Sequence, residues 1–426
     1  MADLSCNIAG VRSPNPFWLA SAPPTDKQVN VERAFEAGWG GVVWKTLGEA
    51  GPPIVNVCSR YGSIDYNGVR MIGLNNIELI TDRPLEVNLA EITAVKKAWP
   101  DRAMVVSLMV PCNEKAWKDI LKAVEQTGCD GVELNFGCPH GMSERGMGSA
   151  VGQVPEYIRD VAGWCKTHTG LPVFVKLTPN ITDIRYPARA AREGGADAVS
   201  LINTINSITG IDLETFSPEP SVAGKGAHGG YCGPAVKPIA LSMVSEIARD
   251  SMTRGMPISG IGGIGTWRDA AEFIALGCGS VQVCTAAMRF GFKIIDDMID
   301  GLHNWMNTRG FASLDDFRGR AVANVIDWNQ LDLNYKTLAH IDQDKCIECG
   351  LCHIVCEDAS HQAIARSKDE NGRRTYTVID DECVGCNLCN LVCPVPDCIS
   401  MVEVDNGLPY LNWGSHPNNP MKAGGK

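Results

Sequence analysis

Along the first 300 residues, short apolar and β-branched runs alternate with longer stretches whose apolar positions recur at helical spacing. The runs are bounded by Gly, Pro or Asp. They predict strands at Trp18–Ala20, Gly41–Lys45, Met104–Val110, Gly131–Asn135, Val173–Leu177, Ala198–Asn203, Pro257–Gly260 and Ser280–Cys284. Between them, segments such as Glu114–Thr127, Pro155–Thr167, Asp183–Gly194 and Trp267–Gly277 carry helical periodicity and end near Gly. Eight such alternations predict an α/β fold, a TIM (β/α)8 barrel, better than they predict a doubly wound sheet. In such a barrel the chemistry collects at the C-terminal strand ends and the loops that follow.

The predicted strand ends are polar. Lys45-Thr46 close the second run, Asn135 ends the fourth, Lys176 lies in the fifth, and Asn203-Thr204 close the sixth. The glycine-rich segment Gly260-Ile261-Gly262-Gly263-Ile264-Gly265 follows the seventh, and Cys284-Thr285 end the eighth. Gly260, Gly262 and Gly265 formally match a dinucleotide fingerprint, which wants an acid about 20 residues later. Ser280–Gln282 stand there instead. The loops after the last two strands of a barrel commonly hold a phosphate on backbone N–H groups. Glycine lets the chain come close to it without a Cβ in the way. The expected ligand is a mononucleotide, with FMN the natural candidate.

Cysteine usage changes the picture at the C-terminal end. Of 18 cysteines in 426 residues, nine are scattered over residues 1–340 and nine crowd into 346–398. The crowd spells Cys346-x2-Cys349-x2-Cys352-x3-Cys356 and then Cys383-x2-Cys386-x2-Cys389-x3-Cys393-Pro394. Each run has the ligand spacing of a bacterial two-cluster ferredoxin, in which the fourth cysteine of one run closes the other cluster. Cys346, Cys349, Cys352 and Cys393 are therefore assigned to one 4Fe–4S cluster, and Cys383, Cys386, Cys389 and Cys356 to the second. Glu357 stands where a proline would follow the first run, a departure that touches no ligand. A pair of zinc ribbons is the competing reading, and the doubled four-cysteine spacing argues against it. Cys398 lies outside both runs and reads as a small core residue. Thr375–Ile379 and Ser400–Val404 read as strands flanking the second run.

Charge and hydropathy narrow the class further. With 45% hydrophobic residues the chain can build a sizeable core, and no apolar run is long enough to span a membrane. The 38 Lys+Arg against 49 Asp+Glu give a net charge of −11, without the basic surplus of a nucleic-acid binder. No secretory signal opens the sequence. A cytoplasmic protein that keeps its thiols reduced is expected. The expected organisation is a barrel over 1–302, a connecting extension over 303–338, a ferredoxin-like domain over 339–412 and a disordered tail over 413–426.

Three segments carry a resemblance: Asn76-Ile77-Glu78-Leu79-Ile80, the loop from Asn135-Phe136-Gly137-Cys138-Pro139-His140 to Gly146, and Lys176-Leu177-Thr178-Pro179-Asn180. They resemble the dihydropyrimidine dehydrogenases of the dihydroorotate dehydrogenase-like FMN barrels, most of all the separate FMN/iron–sulfur subunit of the bacterial NAD-dependent enzymes. The likeness covers nearly the whole chain. It implies reversible reduction of uracil or thymine to the 5,6-dihydropyrimidine, as the catalytic subunit of a hetero-oligomer, a heterotetramer being one form. The FAD and NAD(H) of the reaction are then carried by a partner subunit.

The resemblance also implies roles. Cys138 matches the proton donor; a thiol with a reference pKa of ~8.5 is protonated near neutral pH and can donate. Its glycine-rich loop is long enough to close as a lid. Asn76, Asn135, Asn203 and Thr204 match positions that hold the pyrimidine, whose alternating carbonyl and N–H groups suit amide side chains. Ser21, Ala22, Lys45, Thr46, Asn135, Lys176, Gly233, Gly262, Gly263, Cys284 and Thr285 match FMN-binding positions. A cation such as Lys176 near the flavin's N1/C2=O end stabilises the reduced ring. Phe136-Gly137 departs from the Leu-Ser of the family's animal members. Ser207–Ser221 is a further place for substrate tuning. Two alternatives remain: a dihydroorotate dehydrogenase-type flavoenzyme, and a non-catalytic electron-transfer subunit.

Overall fold

Residues 2–49, 53–139 and 141–422 are described in the computed structural model of the chain. Eight parallel strands close into a barrel in chain order: β1 (Phe17–Leu19), β2 (Gly41–Leu47), β3 (Ala103–Leu108), β4 (Gly131–Asn135), β5 (Val173–Lys176), β6 (Ala198–Leu201), β7 (Ile258–Ile261) and β8 (Cys278–Val283). Each is followed by an outer helix: α1 (Gln28–Ala37), α2 (Leu85–Ala98), α3 (Glu114–Glu125), α4 (Pro155–His168), α5 (Arg185–Glu193), α6 (Lys237–Arg249), α7 (Trp267–Ala275) and α8 (Ile294–Arg309). The architecture is the expected (β/α)8 barrel, with strand edges shifted by a residue or two.

The period of two along each strand sorts side chains between two environments. Val42, Val106, Leu134 and Val175 join the core shared with the helices. Their neighbours Val43, Val105, Phe174 and Ala198 join Trp18 in a second cluster inside the barrel. Ala103 and, from the hairpin of strands Cys6–Ile8 and Val11–Ser13, Ile8 and Val11 complete that cluster. The Trp18 and Phe174 rings sit 6.4 Å apart, and burying a side chain of this size contributes roughly 1.5–3 kcal/mol. Further along the strands the interior turns polar: Ser107, Glu133, Ser200, Ser259, Ser280 and Gln282 are all buried. The barrel is thus plugged with apolar groups at one end and lined with hydrogen-bonding groups toward the other.

Two long connections build a wall beside the polar end. Strands Tyr61–Tyr66 and Val69–Asn76 lie between β2 and α2, and strands Ile205–Ser207 and Gly229–Cys232 between β6 and α6. They form one four-stranded antiparallel sheet, ordered 205–207, 229–232, 69–76, 61–66. The first hairpin turns on Asn67 and Gly68, both at positive φ. Such a two-residue Asn-Gly turn matches the twist of its strands and is readable in sequence, although it was not anticipated. Part of Ser207–Ser221, expected as a tuning segment, folds into the small ladder Gly210–Ile211 against Pro218–Glu219.

The chain divides into compact units at Val325/Ile326 rather than at 302/303. Residue 302 lies within α8, which buries Ile295, Met298, Leu302 and Met306 at helical spacing. Beyond it Phe311 stacks on Phe317 at 5.6 Å, and Trp305 meets Phe317 edge-on at 4.9 Å. Gly319 and Ala321 then donate to the carbonyls of Ile274 and Ala275. An aromatic cluster and these hydrogen bonds hold 303–325 to the barrel.

In the second unit, strands Thr337–Ile341 and Ile399–Glu403 pair antiparallel, as do Ile364–Lys368 and Arg374–Val378. Residues 326–338 belong here, since Leu333 donates to Leu411 O and Tyr410 Oη to Gln330 O. The tail expected to be disordered is structured as far as it is described. Trp413 lies on Trp328 and His416, and Asn419 Nδ2 donates to Trp413 O. Residues 423–426 lie outside the described residues. Among the described residues, no helix is long and apolar enough to cross a membrane.

Candidate active site and cysteine centres

At the polar end of the barrel lies a cavity of about 1340 Å³, counting the space open at its mouth. Ser21, Ala22, Lys45, Thr46, Asn135, Lys176, Gly233, Gly262, Gly263, Cys284 and Thr285 line it. So do Asn76, Asn203, Thr204 and Cys138. Every barrel residue picked from the sequence as a site candidate therefore faces one space.

Hydrogen bonds tie the strand ends together. Thr46 Oγ1 lies 3.1 Å from Ser21 Oγ and 2.9 Å from Ser107 Oγ. It accepts from Asn135 Nδ2 at 3.0 Å, and Asn135 Oδ1 accepts from Asn203 Nδ2 at 2.9 Å. Asn203 Oδ1 in turn accepts the Thr204 N–H at 2.8 Å, while Asn76 Nδ2 donates to Gly230 O at 3.0 Å. Gly137 makes this approach possible: a Cβ there would lie 2.3 Å from Asn203 Cβ. The following loop is anchored, with Ser149 N donating to Cys138 O at 3.1 Å. Cys138 packs beside the apolar cluster of Ile80, Met109, Met142 and Met147. His140, in the middle of the loop motif, lies outside the described residues.

The lysines differ in their partners. Lys45 Nζ is 3.0 Å from Glu78 Oε1 and 3.7 Å from Asp26 Oδ2. Arg60 Nη1 reaches the same Glu78 oxygen at 3.0 Å, and Tyr61 Oη donates to Glu78 Oε2. Burial, and then the Glu78 carboxylate, push the Tyr61 phenol well above its usual value. Lys176 Nζ sits 3.4 Å from Glu133 Oε1, with Glu133 fully buried. Glu78 and Tyr61, both lining the cavity, and Glu133 below it were not singled out by sequence reasoning. Glu78 lay inside the quoted Asn-Ile-Glu-Leu-Ile motif, but a carboxylate's partners are set by residues far away in the chain.

Backbone geometry at the far end suits a phosphate. Gly262, Gly263 and Gly233 have φ of +128°, +73° and +97°. A Cβ at Gly263 would meet Lys237 Cβ at 2.7 Å and Gly233 O at 3.0 Å, so two loops approach more closely than side chains allow. Asp269 pins the next turn, accepting from Gly265 N at 3.0 Å and Thr266 N at 2.8 Å. Burial pushes the Cys284 thiol up to about 12, so it stays neutral; burial likewise raises Cys232. Glycine loops that bring backbone close, two cations and amide side chains within one cavity fit a flavin mononucleotide.

The C-terminal cysteines gather as two quartets. Cys346, Cys349, Cys352 and Cys393 line one small cavity, and Cys356, Cys383, Cys386 and Cys389 line another. Each draws its fourth thiol from the other run. Among the described residues, no three His, Cys, Asp or Glu side chains converge for a single metal ion. Four thiols around each small cavity suit the ligand set of a 4Fe–4S cluster. Ala363 N donates to Cys356 Sγ at 3.3 Å. Cys398 is buried as expected, yet it also lines the first quartet's cavity.

The dihydroorotate dehydrogenase family model matches residues 3–306, and a 4Fe-4S dicluster domain matches 339–401. The chain is 42% identical to the NAD-dependent dihydropyrimidine dehydrogenase subunit PreA of Escherichia coli, over 86% of this chain and 88% of that protein. It is 43% identical to the chloroplastic dihydropyrimidine dehydrogenase (NADP(+)) of Arabidopsis thaliana, over 82% and 83%. The crystal structure of dihydroorotate dehydrogenase from Eimeria tenella in complex with ferulenol matches with a TM-score of 0.59 at 21% identity. That match covers 74% of this chain and 88% of the other, and it speaks for the fold alone.

Proposed function

The chain belongs to the dihydroorotate dehydrogenase family, within it to the dihydropyrimidine dehydrogenases, and from that premise we propose that it interconverts uracil or thymine and their 5,6-dihydro forms. The observation that carries this reading is the single cavity in which Cys138 faces Asn76, Asn135, Asn203, Thr204 and Lys176.

The chemistry that a bound FMN would supply in that cavity is hydride donation to C6 of the pyrimidine. Cys138 delivers the proton to C5, and its thiolate is reprotonated from solvent, so the double bond gains one hydride and one proton. The amides of Asn76, Asn135 and Asn203 and the Thr204 hydroxyl orient the ring by matching its carbonyl and N–H groups. The Gly262-Gly263 turn, Gly233 and Thr285 would hold the phosphate, while Ser21, Ala22, Thr46 and Cys284 would flank the rest of the cofactor. Lys176 would offer its ammonium to the flavin ring, and Lys45 would set the charge at the other wall.

Glu78 at 3.0 Å and Asp26 at 3.7 Å flank Lys45, and the same Glu78 oxygen takes Arg60 at 3.0 Å, so two acids stand against two cations. This end of the cavity therefore carries little surplus positive charge to hold the carboxylate of orotate, which favours a neutral pyrimidine. The two quartets would hold 4Fe–4S clusters that pass single electrons. FAD and NAD(H) would sit on a partner subunit in a hetero-oligomer. Eight cluster-ligating thiols suit a reducing compartment such as the cytoplasm.

The test is anaerobic. The isolated chain, loaded with FMN and reduced chemically, is mixed with uracil. Flavin reoxidation with formation of dihydrouracil is expected. A reduced flavin that ignores uracil but responds to orotate would overturn the reading in favour of dihydroorotate chemistry.

A further inference from the structure

Gln282 has a place at the floor of the cavity that none of the roles above uses. It lies in β8, is 1% exposed and lines the cavity. Its Nε2 donates to Glu133 Oε2 at 2.9 Å and to Ser259 Oγ at 3.2 Å. Turning the amide over would set its oxygen against the Glu133 carboxylate, which when ionised only accepts. The amide orientation is therefore fixed from below. Its oxygen is left buried without a hydrogen-bond partner among the described residues, a state native proteins rarely tolerate without a ligand or water to fill it.

Glu133 holds a second element in place. Its Oε2 also accepts from Ser200 Oγ at 2.8 Å, and its Oε1, without a hydrogen-bond partner among the described residues, has Lys176 Nζ at 3.4 Å. One buried acid thus sets an acceptor, Gln282 Oε1, and a cation, Lys176, at the bottom of the same cavity. An oxidised isoalloxazine has a single ring N–H, at N3, flanked by two carbonyls. It calls for one acceptor with a donor or cation beside it.

We infer that Gln282 is a flavin-binding residue whose side-chain oxygen accepts the N3–H of the isoalloxazine, with Glu133 as the positioning residue that fixes its amide. The inference rests on the reading that this cavity holds FMN. It assigns to β8 a contact with the ring in addition to the Cys284-Thr285 contacts beyond it.

The experiment uses the full chain stripped of flavin, titrated with FMN and with 3-methyl-FMN, in which that N–H is replaced. Affinity is read from flavin fluorescence, and the midpoint potential by anaerobic spectroelectrochemistry. The unaltered protein should hold 3-methyl-FMN at least ~5- to 30-fold more weakly than FMN, the loss expected for one buried hydrogen bond. Gln282→Ala should weaken FMN by a similar factor, shift the midpoint potential, and no longer distinguish the two flavins. Equal affinity of the unaltered protein for both flavins overturns the inference, as does discrimination that survives in Gln282→Ala. Should Gln282→Ala fail to fold, the comparison on the unaltered protein decides alone. A chain that binds neither flavin overturns the FMN reading itself, an outcome separate from these.

Discussion

Asn203, just beyond β6, donates through Nδ2 to Asn135 Oδ1 at the end of β4, at 2.9 Å. Asn135 passes the link on through its own Nδ2 to Thr46 Oγ1 beyond the middle of β2, at 3.0 Å. Three strand ends far apart in sequence thereby share one fixed amide orientation. Asn203→Ala removes one of the two donors to Asn135 Oδ1, the other being Gly137 N at 3.2 Å, and takes the Asn203 amide itself out of the cavity. KM for uracil should rise about tenfold, the equivalent of one lost hydrogen bond, with a smaller change in kcat. Steady-state kinetics that show kcat alone reduced would place Asn203 away from substrate binding.

Cys138→Ser keeps the shape of the loop but replaces the thiol with a far weaker acid. Pyrimidine reduction should fall by about 10²- to 10⁴-fold, the usual range for loss of a general acid. The flavin spectrum and iron content should stay unchanged. Turnover close to that of the unaltered protein would take the acid role away from this residue.

The crossed quartets make a selective prediction. Cys393→Ser should remove or convert the cluster of Cys346, Cys349 and Cys352, and Cys356→Ser the cluster of Cys383, Cys386 and Cys389. Iron content and EPR of the reduced protein measure each case. Loss of the opposite cluster in either variant would mean that each run ligates its own.

Gly263→Ala meets two obstacles at once. The residue has φ of +73°, and its Cβ would lie 2.9 Å from Lys237 N and 3.0 Å from Gly233 O. The left-handed backbone alone costs an alanine roughly 1 kcal/mol or more. FMN occupancy after gel filtration should drop sharply while far-UV circular dichroism changes little. Retention of full flavin would show that this turn does not cradle the phosphate.

Acid should loosen the same loop. Burial pushes the Asp269 carboxyl up, but Lys237 at 2.7 Å and the loop N–H donors outweigh it and hold it below its ordinary value. A depressed folded pKa means the stabilisation is complete above the unfolded value of ~3.9 and is lost as pH falls through the lower folded one. FMN retention should be flat through neutral and weakly acidic pH and fall below about pH 4. Asp269→Asn should weaken FMN at neutral pH and flatten that acid limb. A variant with the same acid limb as the unaltered protein would place the titration elsewhere.

Much of this molecule was legible in the chain. Strand and helix periods gave the barrel, because a parallel sheet buried under helices leaves apolar runs with a fixed local rhythm. Cysteine spacing picked out the thiols that gather in two quartets, because residues two or three apart stay close in any fold. The division at Val325/Ile326 falls inside the expected 303–338 extension, and where it falls was not legible because the aromatic contacts of Trp305, Phe311 and Phe317 obey no period. The sheet built from 61–76 and 205–232 was missed because its halves lie more than a hundred residues apart.

Local pattern determined which residues the barrel would carry at its strand ends, and those residues do line one cavity. The hairpin of the wall sheet and closure of the barrel decided how they pair: Glu78 against Lys45, Arg60 and Tyr61, and Glu133 beneath Lys176 and Gln282. The physical reason lies in the kind of interaction. Propensity and hydrophobic period act over a few residues along the chain. The partner of a buried charge or amide is whichever group the closed sheet brings within about 3 Å, whatever its distance in sequence.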